Sequence, residues 1–498
     1  MTVTNVEATV TIGDAPFQVA DVVRVARGAP VALSAAAMDR IRRSRAVIDA
    51  KLAADEPTYG LNRGLGHDKD RRISADEAAQ FSLGMLRAHE GGLGVPLAVD
   101  VVRAAMLARV CGIAQGGSGA SPAMPETLVA MLNAGVTPIV PSTGSIGAGD
   151  LGLMASIGLV AIGEGRAEYR GEQLAGADAL RRAGIAPLTI GPKDGLTIMS
   201  VNGISIGQSA LVAARLGRAA ELADAAAALS IEAVGASTSV VDAAVGEAKP
   251  FRGQIETATH IRSLLEGSYL QSTDTASVQE ALSFRVIPQV HGASRDVLTF
   301  AVAAIETELN AAADNPLVSA DGRMIHNGNF EPLEMAIAFD ALRVALAHVG
   351  QLSDRRMSHI WDAIFKNPAI LASGRRPYGV QLRYSAAACY TALRQLAAPA
   401  TLDVPTLDIG VEDHGTGAPL SVSKTDDAAG LLEDILVIEL LIARDLLGGR
   451  EPSVRLGHGT SAMLDDAEAV IAGFGPEARA ADVHAALRTQ LYVSAWQT

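Results

Sequence analysis

Along most of the chain, apolar residues recur at three- and four-residue intervals, the period of a helix with one buried face. Residues 34–53 carry this spacing. Ser74 and Glu77 stand at capping-box distance and open a predicted helix over 75–89, which Gly91, Gly92 and Gly94 end. Further helices are predicted over 96–115 and 122–133, an apolar three-turn helix over 151–162, and a short one over 177–183. Long helical patterns occupy 205–234, 293–313, 332–352 and 425–447. The last is apolar on nearly every face from Leu431 onward, which predicts burial inside a bundle or against another subunit. Gly448 and Gly449 stop it.

Alternating patterns are few. Residues 1–30 are β-branched in part and predict a small hairpin or a strand, and 166–173 predict a hairpin. Glycine clusters predict loops at 57–66 and 195–203, and 261–265 and 278–285 frame an irregular segment. No internal repeat or low-complexity linker interrupts the chain. The expected fold is all-α: a long-helix bundle core over 201–498, with a smaller mixed N-terminal part over 1–200 that carries a Gly-rich loop.

Composition supports helices, since alanine and leucine dominate and aromatics make up only 4% of 498 residues. A net charge of −14 argues against nucleic acid and anionic membrane as partners. No uninterrupted apolar run reaches the ~20 residues of a membrane span, and the N-terminus has no signal-peptide pattern. Cys111 and Cys389 sit inside apolar helical patterns. They predict buried thiols in a reducing cytoplasm, without a disulfide framework or a metal site.

Three stretches carry candidate chemistry. Gly144, Gly147 and Gly149 lead into Asp150, a candidate N-cap for the apolar helix that follows. Their spacing is G-x-x-G-x-G, Pro138 and Pro141 spoil a preceding strand, and no Walker lysine follows, so a phosphate cradle is disfavoured. Tyr59 sits in a Gly-rich loop. A phenol of ordinary pKa, about 10, is a poor base at neutral pH; a positive environment such as converging helix N-termini would make it a usable one. Arg285 has the planar guanidinium that suits a carboxylate.

These stretches together resemble the aromatic amino acid ammonia-lyases, the family of the histidine, phenylalanine and tyrosine enzymes. Gly144-Ser145-Ile146-Gly147-Ala148, then Asp150-Leu151, is similar to the family loop G-S-[VI]-G-A-S-G-D-L. Tyr59 to Gly66 fits Y-G-x-N-x-G-x-G at every fixed position. The segment from Val278 to Arg285, followed by Pro288-Gln289, is similar to V-Q-D-x-Y-S-x-R and its P-Q. Asp314-Asn315-Pro316, Gly328-Asn329-Phe330 and Glu412-Asp413-His414 match further elements in the same order, over about residues 50–450.

The resemblance implies a helical, ammonia-lyase-like homotetramer with active sites shared between subunits, and elimination of ammonia from an amino acid, histidine or a related heterocyclic or aromatic one, to leave an α,β-unsaturated acid. It implies Tyr59 as base and Arg285 as carboxylate anchor, with Asn202 and Glu412 in the catalytic set. His89, Gln279, Asn329 and Phe330 would bind substrate. His89 and Glu412 match the histidine-specific members. The family asparagine falls at Asn202 after a two-residue insertion, or its position is taken by Ser200.

Two positions depart from the pattern. In the family, an Ala-Ser-Gly run cyclises to a methylidene-imidazolone electrophile. Here Ala148-Gly149-Asp150 contains no serine, so the group is expected from the family but is not expected to form. Leu282 stands where the family has a tyrosine. The sequence therefore leaves a second reading: an inactive or altered homologue that binds an amino acid without eliminating ammonia.

Overall fold

The computed structural model describes residues 8–272, 277–367, 370, 374, 376–449, 453–475 and 477–494. They form two compact units that interleave along the chain: 1–214, 301–337 and 399–423, and 215–300, 338–398 and 424–498. The expected parts, 1–200 and 201–498, divide the chain in sequence instead.

The first unit opens with β1 (Val10–Ile12), α1 (Val19–Ala26), β2 (Val31–Leu33) and α2 (Ala35–Ala53). The β1 and β2 strands pair parallel, Val10 opposite Val31. Of the hairpin or strand expected over 1–30, the strand is present, within a strand–helix–strand unit. Val19, Val22, Val23, Val25 and Ala26 are buried at helical spacing, and packing overrides their β-branched preference. Ser34 caps α2 as its position suggests, accepting from the Ala37 N–H at 3.1 Å.

Next come α3 (Ala78–His89), β3 (Leu93–Pro96), α4 (Val99–Ala114), α5 (Ala123–Ala134), β4 (Thr137–Pro138), β5 (Pro141–Thr143) and α6 (Leu151–Ala161). The Ser74 hydroxyl donates to Glu77 at 2.6 Å, and α3 begins at Ala78, three residues later than expected. Every residue of α4 from Val101 on is buried. Its two arginines find partners there: Arg103 donates to the Val25, Ala26 and Leu132 carbonyls, and Arg109 pairs with Asp314 at 2.7 Å. The 166–173 hairpin is present as β6 (Arg166–Tyr169) and β7 (Glu172–Ala175).

After α7 (Gly176–Ala183), the expected loop at 195–203 is largely a helix, α8 (Asp194–Met199), all of whose residues are buried. Its glycine misled the pattern: a Cβ on Gly195 would collide with the Ser82 carbonyl, so glycine is there for close packing. α9 (Gly203–Val234) follows. The stretch Asp194–Val234 is apolar and long enough to cross a bilayer by composition, yet 83% of its most apolar window is buried, as in a core helix.

The second unit holds most of α9, then α10 (Ala243–Ala248), α11 (Arg252–Leu264), α12 (Leu282–Arg285) and much of α13 (Ile287–Leu309). It also contains most of α14 (Leu333–Lys366), α15 (Tyr378–Leu396), most of α16 (Ala418–Leu447), α17 (His458–Ala472) and α18 (Ala480–Ser494). The nearly all-apolar helix is α16, buried inside the chain itself from Leu432 to Leu446 along its apolar positions. Its charged interruptions are paired. Glu433 meets Arg215 and Arg488, and Glu439 receives the buried Arg356 guanidinium.

Candidate active site

A cavity of about 620 Å³ opens in the first unit, a size suited to a small molecule. Its lining includes Tyr59, His67, His89, Ala148, Met199, Ser200, Asn315, Phe330, Glu331, Asp408, Glu412, Asp413 and His414. Three loops, the segment 315–331 and the ends of α3 and α8 bring these residues together.

The first loop presents Tyr59. Asn62 is fully buried and staples the loop, accepting from the Thr58 N–H at 2.7 Å and donating to the Glu56 carbonyl at 2.9 Å. The Tyr59 hydroxyl oxygen accepts from the Gly66 N–H at 3.0 Å. Burial raises the Tyr59 pKa, and the charges of Asp408 and Glu412 add to the rise; the Gly66 N–H opposes them. The surroundings are therefore negative, not the positive setting that would ready a phenol as base.

The second loop spans 407–414 and carries four carboxylate or imidazole groups to the cavity. Asp408 and Ile409 adopt left-handed backbone conformations, φ +48° and +56°, unusual for residues with a Cβ and costly for a β-branched one. Burial raises the Glu412 carboxyl above its ordinary range, with a contribution from Asp408 and opposition from His89. His89 Nδ1 lies 2.8 Å from the Met85 carbonyl. That bond requires the proton on Nδ1 and leaves Nε2 an acceptor in the neutral ring. His414 Nδ1 faces Glu331 at 3.3 Å.

His67 joins the two loops. Its Nδ1 lies 2.5 Å from Asp408 Oδ1, and its backbone N–H donates to Asp408 Oδ2 at 3.0 Å. A side chain on Gly66 would collide with the same carboxylate. A hydrogen bond to a charged group contributes about 1.5–3 kcal/mol. Asp408→Ala should therefore speed hydrogen–deuterium exchange of the amides over 59–68 by roughly tenfold or more. Unchanged exchange would mean that the loop is held without Asp408.

The third loop, 144–150, is gripped on both sides. The Thr416 hydroxyl donates to the Gly147 carbonyl at 2.9 Å, and the Gly417 N–H donates to Ile146 at 2.8 Å. Gly147 and Gly149 have φ of +84° and +81°. Asp150 stands at the N-terminus of α6, but its side chain does not cap that helix. The buried carboxylate instead accepts from the Ser205 N–H (2.9 Å) and hydroxyl (3.2 Å) at the start of α9, and from the Ser145 hydroxyl (2.8 Å). The helix dipole accounts for this choice, since the first turn of α9 presents unpaired N–H groups to a buried anion.

Of the residues singled out in the sequence, Tyr59, His89, Ala148, Phe330 and Glu412 line the cavity. Asn202 is buried; its side-chain oxygen accepts from the Gly149 N–H at 3.2 Å and its amide donates to the Phe330 carbonyl. Ser200, the alternative to Asn202, lies on the lining. Asn329 is exposed, with its N–H bonded to the Asn327 side chain at 2.8 Å. Arg285 and Gln279 belong to the second unit. There the Gln279 amide oxygen, turned toward Arg285, accepts from its guanidinium at 2.5 and 2.6 Å. The residues that sequence reading passed over are chiefly His67, Glu331, Asp408 and Met199. The only signal for the first three was charge inside Gly-rich or irregular stretches.

A family model described as aromatic amino acid lyase matches residues 17–469. The chain belongs to that family. A histidine ammonia-lyase of Gloeobacter violaceus is 38% identical over 463 residues, 91% of this chain and 89% of its own length. One from Treponema denticola is 36% identical, with 91% of each chain covered. Among solved structures, the ergothioneine-degrading enzyme ergothionase of Treponema denticola superposes with a TM-score of 0.89 at 27% identity, over 98% of this chain and 99% of that one. The histidine ammonia-lyase of Trypanosoma cruzi gives 0.87 at 26% identity, over 98% and 94%. Family membership supports an ammonia-lyase-type enzyme acting on an amino acid.

Residues 148–150 do not fit the family's methylidene-imidazolone. They offer no side-chain hydroxyl to lose as water. The third residue's nitrogen, which would have to close the ring, is that of Asp150, and its N–H is already bonded to the Val201 carbonyl at 2.9 Å. Among the described residues, no cluster of three or more histidine, cysteine or carboxylate side chains is placed to hold a metal ion.

Proposed function

We propose that this cavity takes an amino-acid-type substrate with an imidazole or related heterocyclic ring and removes its α-nitrogen by elimination, without a methylidene-imidazolone. The observation that carries the reading is the meeting of Tyr59, His89 and Glu412 on one cavity beside a loop that lacks the serine. Tyr59 serves as the base for the β-proton. His89 and Glu412 offer an acceptor and a carboxylate to the ring N–H. The histidine ammonia-lyase relatives support the imidazole, and the ergothioneine-degrading relative supports a wider ring class that includes ergothioneine. Arg285 anchors the substrate carboxylate, contributed by a neighbouring copy in a cytoplasmic homotetramer; Gln279 holds its guanidinium. Asn202 positions the 148–150 loop through Gly149 and Phe330.

Against a phenyl ring, Glu412 and His89 would lose hydrogen bonds, at roughly 1–3 kcal/mol for each group left unpaired. Calorimetric titration should accordingly give tighter binding of histidine than of phenylalanine, and Glu412→Gln should narrow the gap. Tighter phenylalanine binding, unchanged by the substitution, would rule out the assignment. A second reading, binding without turnover, is favoured by the missing serine and by Leu282 in the place of the family tyrosine. Release of amine and olefin separates the two.

A further inference from the structure

Resting on the reading just given, in which Arg285 anchors the substrate carboxylate, we propose that Arg356 is its positioning residue. By donating to the Ser283 carbonyl, Arg356 fixes α12 and with it the direction in which Arg285 is presented. The starting point is an ion pair that stability alone does not explain. Arg356 of α14 and Glu439 of α16 are fully buried. The guanidinium meets the carboxylate through Nε at 2.6 Å and Nη2 at 2.9 Å. Desolvation of two buried charges offsets much of their attraction, and apolar residues of similar volume often serve a core equally well. What such a pair adds over apolar packing is a donor with a fixed direction.

That donor is Nη1. The grip on Glu439 uses Nε and Nη2, and Nη1 donates to the Ser283 carbonyl at 3.2 Å. Ser230 of α9 steadies the pair, its hydroxyl donating to Glu439 Oε1 at 2.8 Å. Ser283 lies inside the four-residue α12, two positions before Arg285. One turn along α14 from Arg356, His359 packs its ring against that of Phe284, at 5.9 Å between centroids. Phe284 is itself buried in a cluster with Ala227, Ile231 and Ile261. α14 thus holds two consecutive residues of α12. A helix this short is not stable by itself. It is also separated from α13 by a break at Val286, and Pro288 has no N–H to offer the Phe284 carbonyl. Gln279 holds the Arg285 guanidinium; Arg356 holds the backbone from which it hangs.

The arrangement uses the planar fork of an arginine. Arg356→Lys keeps a positive charge for Glu439, but the donors of an ammonium all sit on one nitrogen and cannot span the carboxylate and the Ser283 carbonyl in the same geometry. The consequence is selective for the substrate carboxylate. Tyr59, His89 and Glu412 belong to the first unit, whereas Arg356, Glu439 and Ser283 belong to the second.

The test compares histidine with histamine, which has the same ring and amine but no carboxylate. Both are titrated calorimetrically into the full-length parent, into Arg356→Lys, and into the double variant Arg356→Met with Glu439→Leu. The double variant removes both charges together, so neither is left buried and unpaired. Hydrogen–deuterium exchange over 284–286 is followed in all three proteins. The parent should prefer histidine. In both variants that preference should fall by about tenfold or more while histamine affinity holds, since misplacing a binding group by about 1 Å can cost roughly a hundredfold. The amides of Phe284, Arg285 and Val286, bonded to the Ala281 and Leu282 carbonyls, should exchange faster. A double variant that keeps the parent's preference, or its exchange rates, overturns the positioning role and leaves Arg285 standing as the anchor. A parent that binds histamine as tightly as histidine overturns the anchor reading and the positioning role with it.

Discussion

Insertion of one serine between Ala148 and Gly149 is expected to leave the intact chain two water masses lighter than its sequence, with a new near-ultraviolet band, whereas the parent matches its sequence mass. The insertion recreates Ala-Ser-Gly ahead of Asp150. It moves the ring-closing role from the nitrogen of Asp150, committed to Val201, to that of Gly149. Gly149 has φ +81° and lacks a Cβ, so its nitrogen can approach a carbonyl closely. Its N–H is held by Asn202 at a long 3.2 Å, a weaker commitment. The grip of Thr416 and Gly417 on residues 146–147 and of Ser205 on Asp150 stays in place on either side. The same variant should gain ammonia release from histidine. A parent chain already two waters light would contradict the reading of the loop.

The long helices were legible because burial of one face, or of every face, writes itself into residue spacing. α16 is the clearest case: its apolar run demanded burial, and its few charges proved to be paired rather than exposed. The elements that were missed are those in which packing outvotes local preference. The valine-rich α1 read as strand, and α8 read as loop because Gly195 sits against a neighbouring backbone. The site divides in the same way. Tyr59, His89, Phe330 and Glu412 could be placed by motif. The electrostatic character of the cavity could not, since it depends on Glu331 and Asp408 arriving from segments hundreds of residues away from Tyr59. The serine's absence was plain from the letters alone. That the Asp150 carboxylate serves the start of α9 rather than its own helix was visible only in three dimensions.

Tyr59→Phe should lower turnover by at least ~10²-fold, the typical contribution of a general base, while substrate affinity changes little. The substitution removes a hydroxyl that, among the described residues, is bonded to the Gly66 N–H, an amide at a loop that water can reach. The ring and its edge-on contact with His326, at 6.2 Å between centroids, are kept. Loss of rate without loss of binding is thus the signature of a proton acceptor rather than of a wall. The pH profile sharpens the point. The active form is the phenolate, and burial together with Asp408 and Glu412 moves its pKa upward in the free protein. The profile of kcat/KM, which reports the free enzyme, should therefore still be rising above the ordinary phenol value of about 10. A cationic substrate lowers the same pKa, so kcat should level off at a lower pH than kcat/KM. Both rising limbs should disappear in Tyr59→Phe. Full activity in that variant, or rising limbs that persist unchanged, would remove Tyr59 from the chemistry and hand the β-proton to another group on the cavity wall.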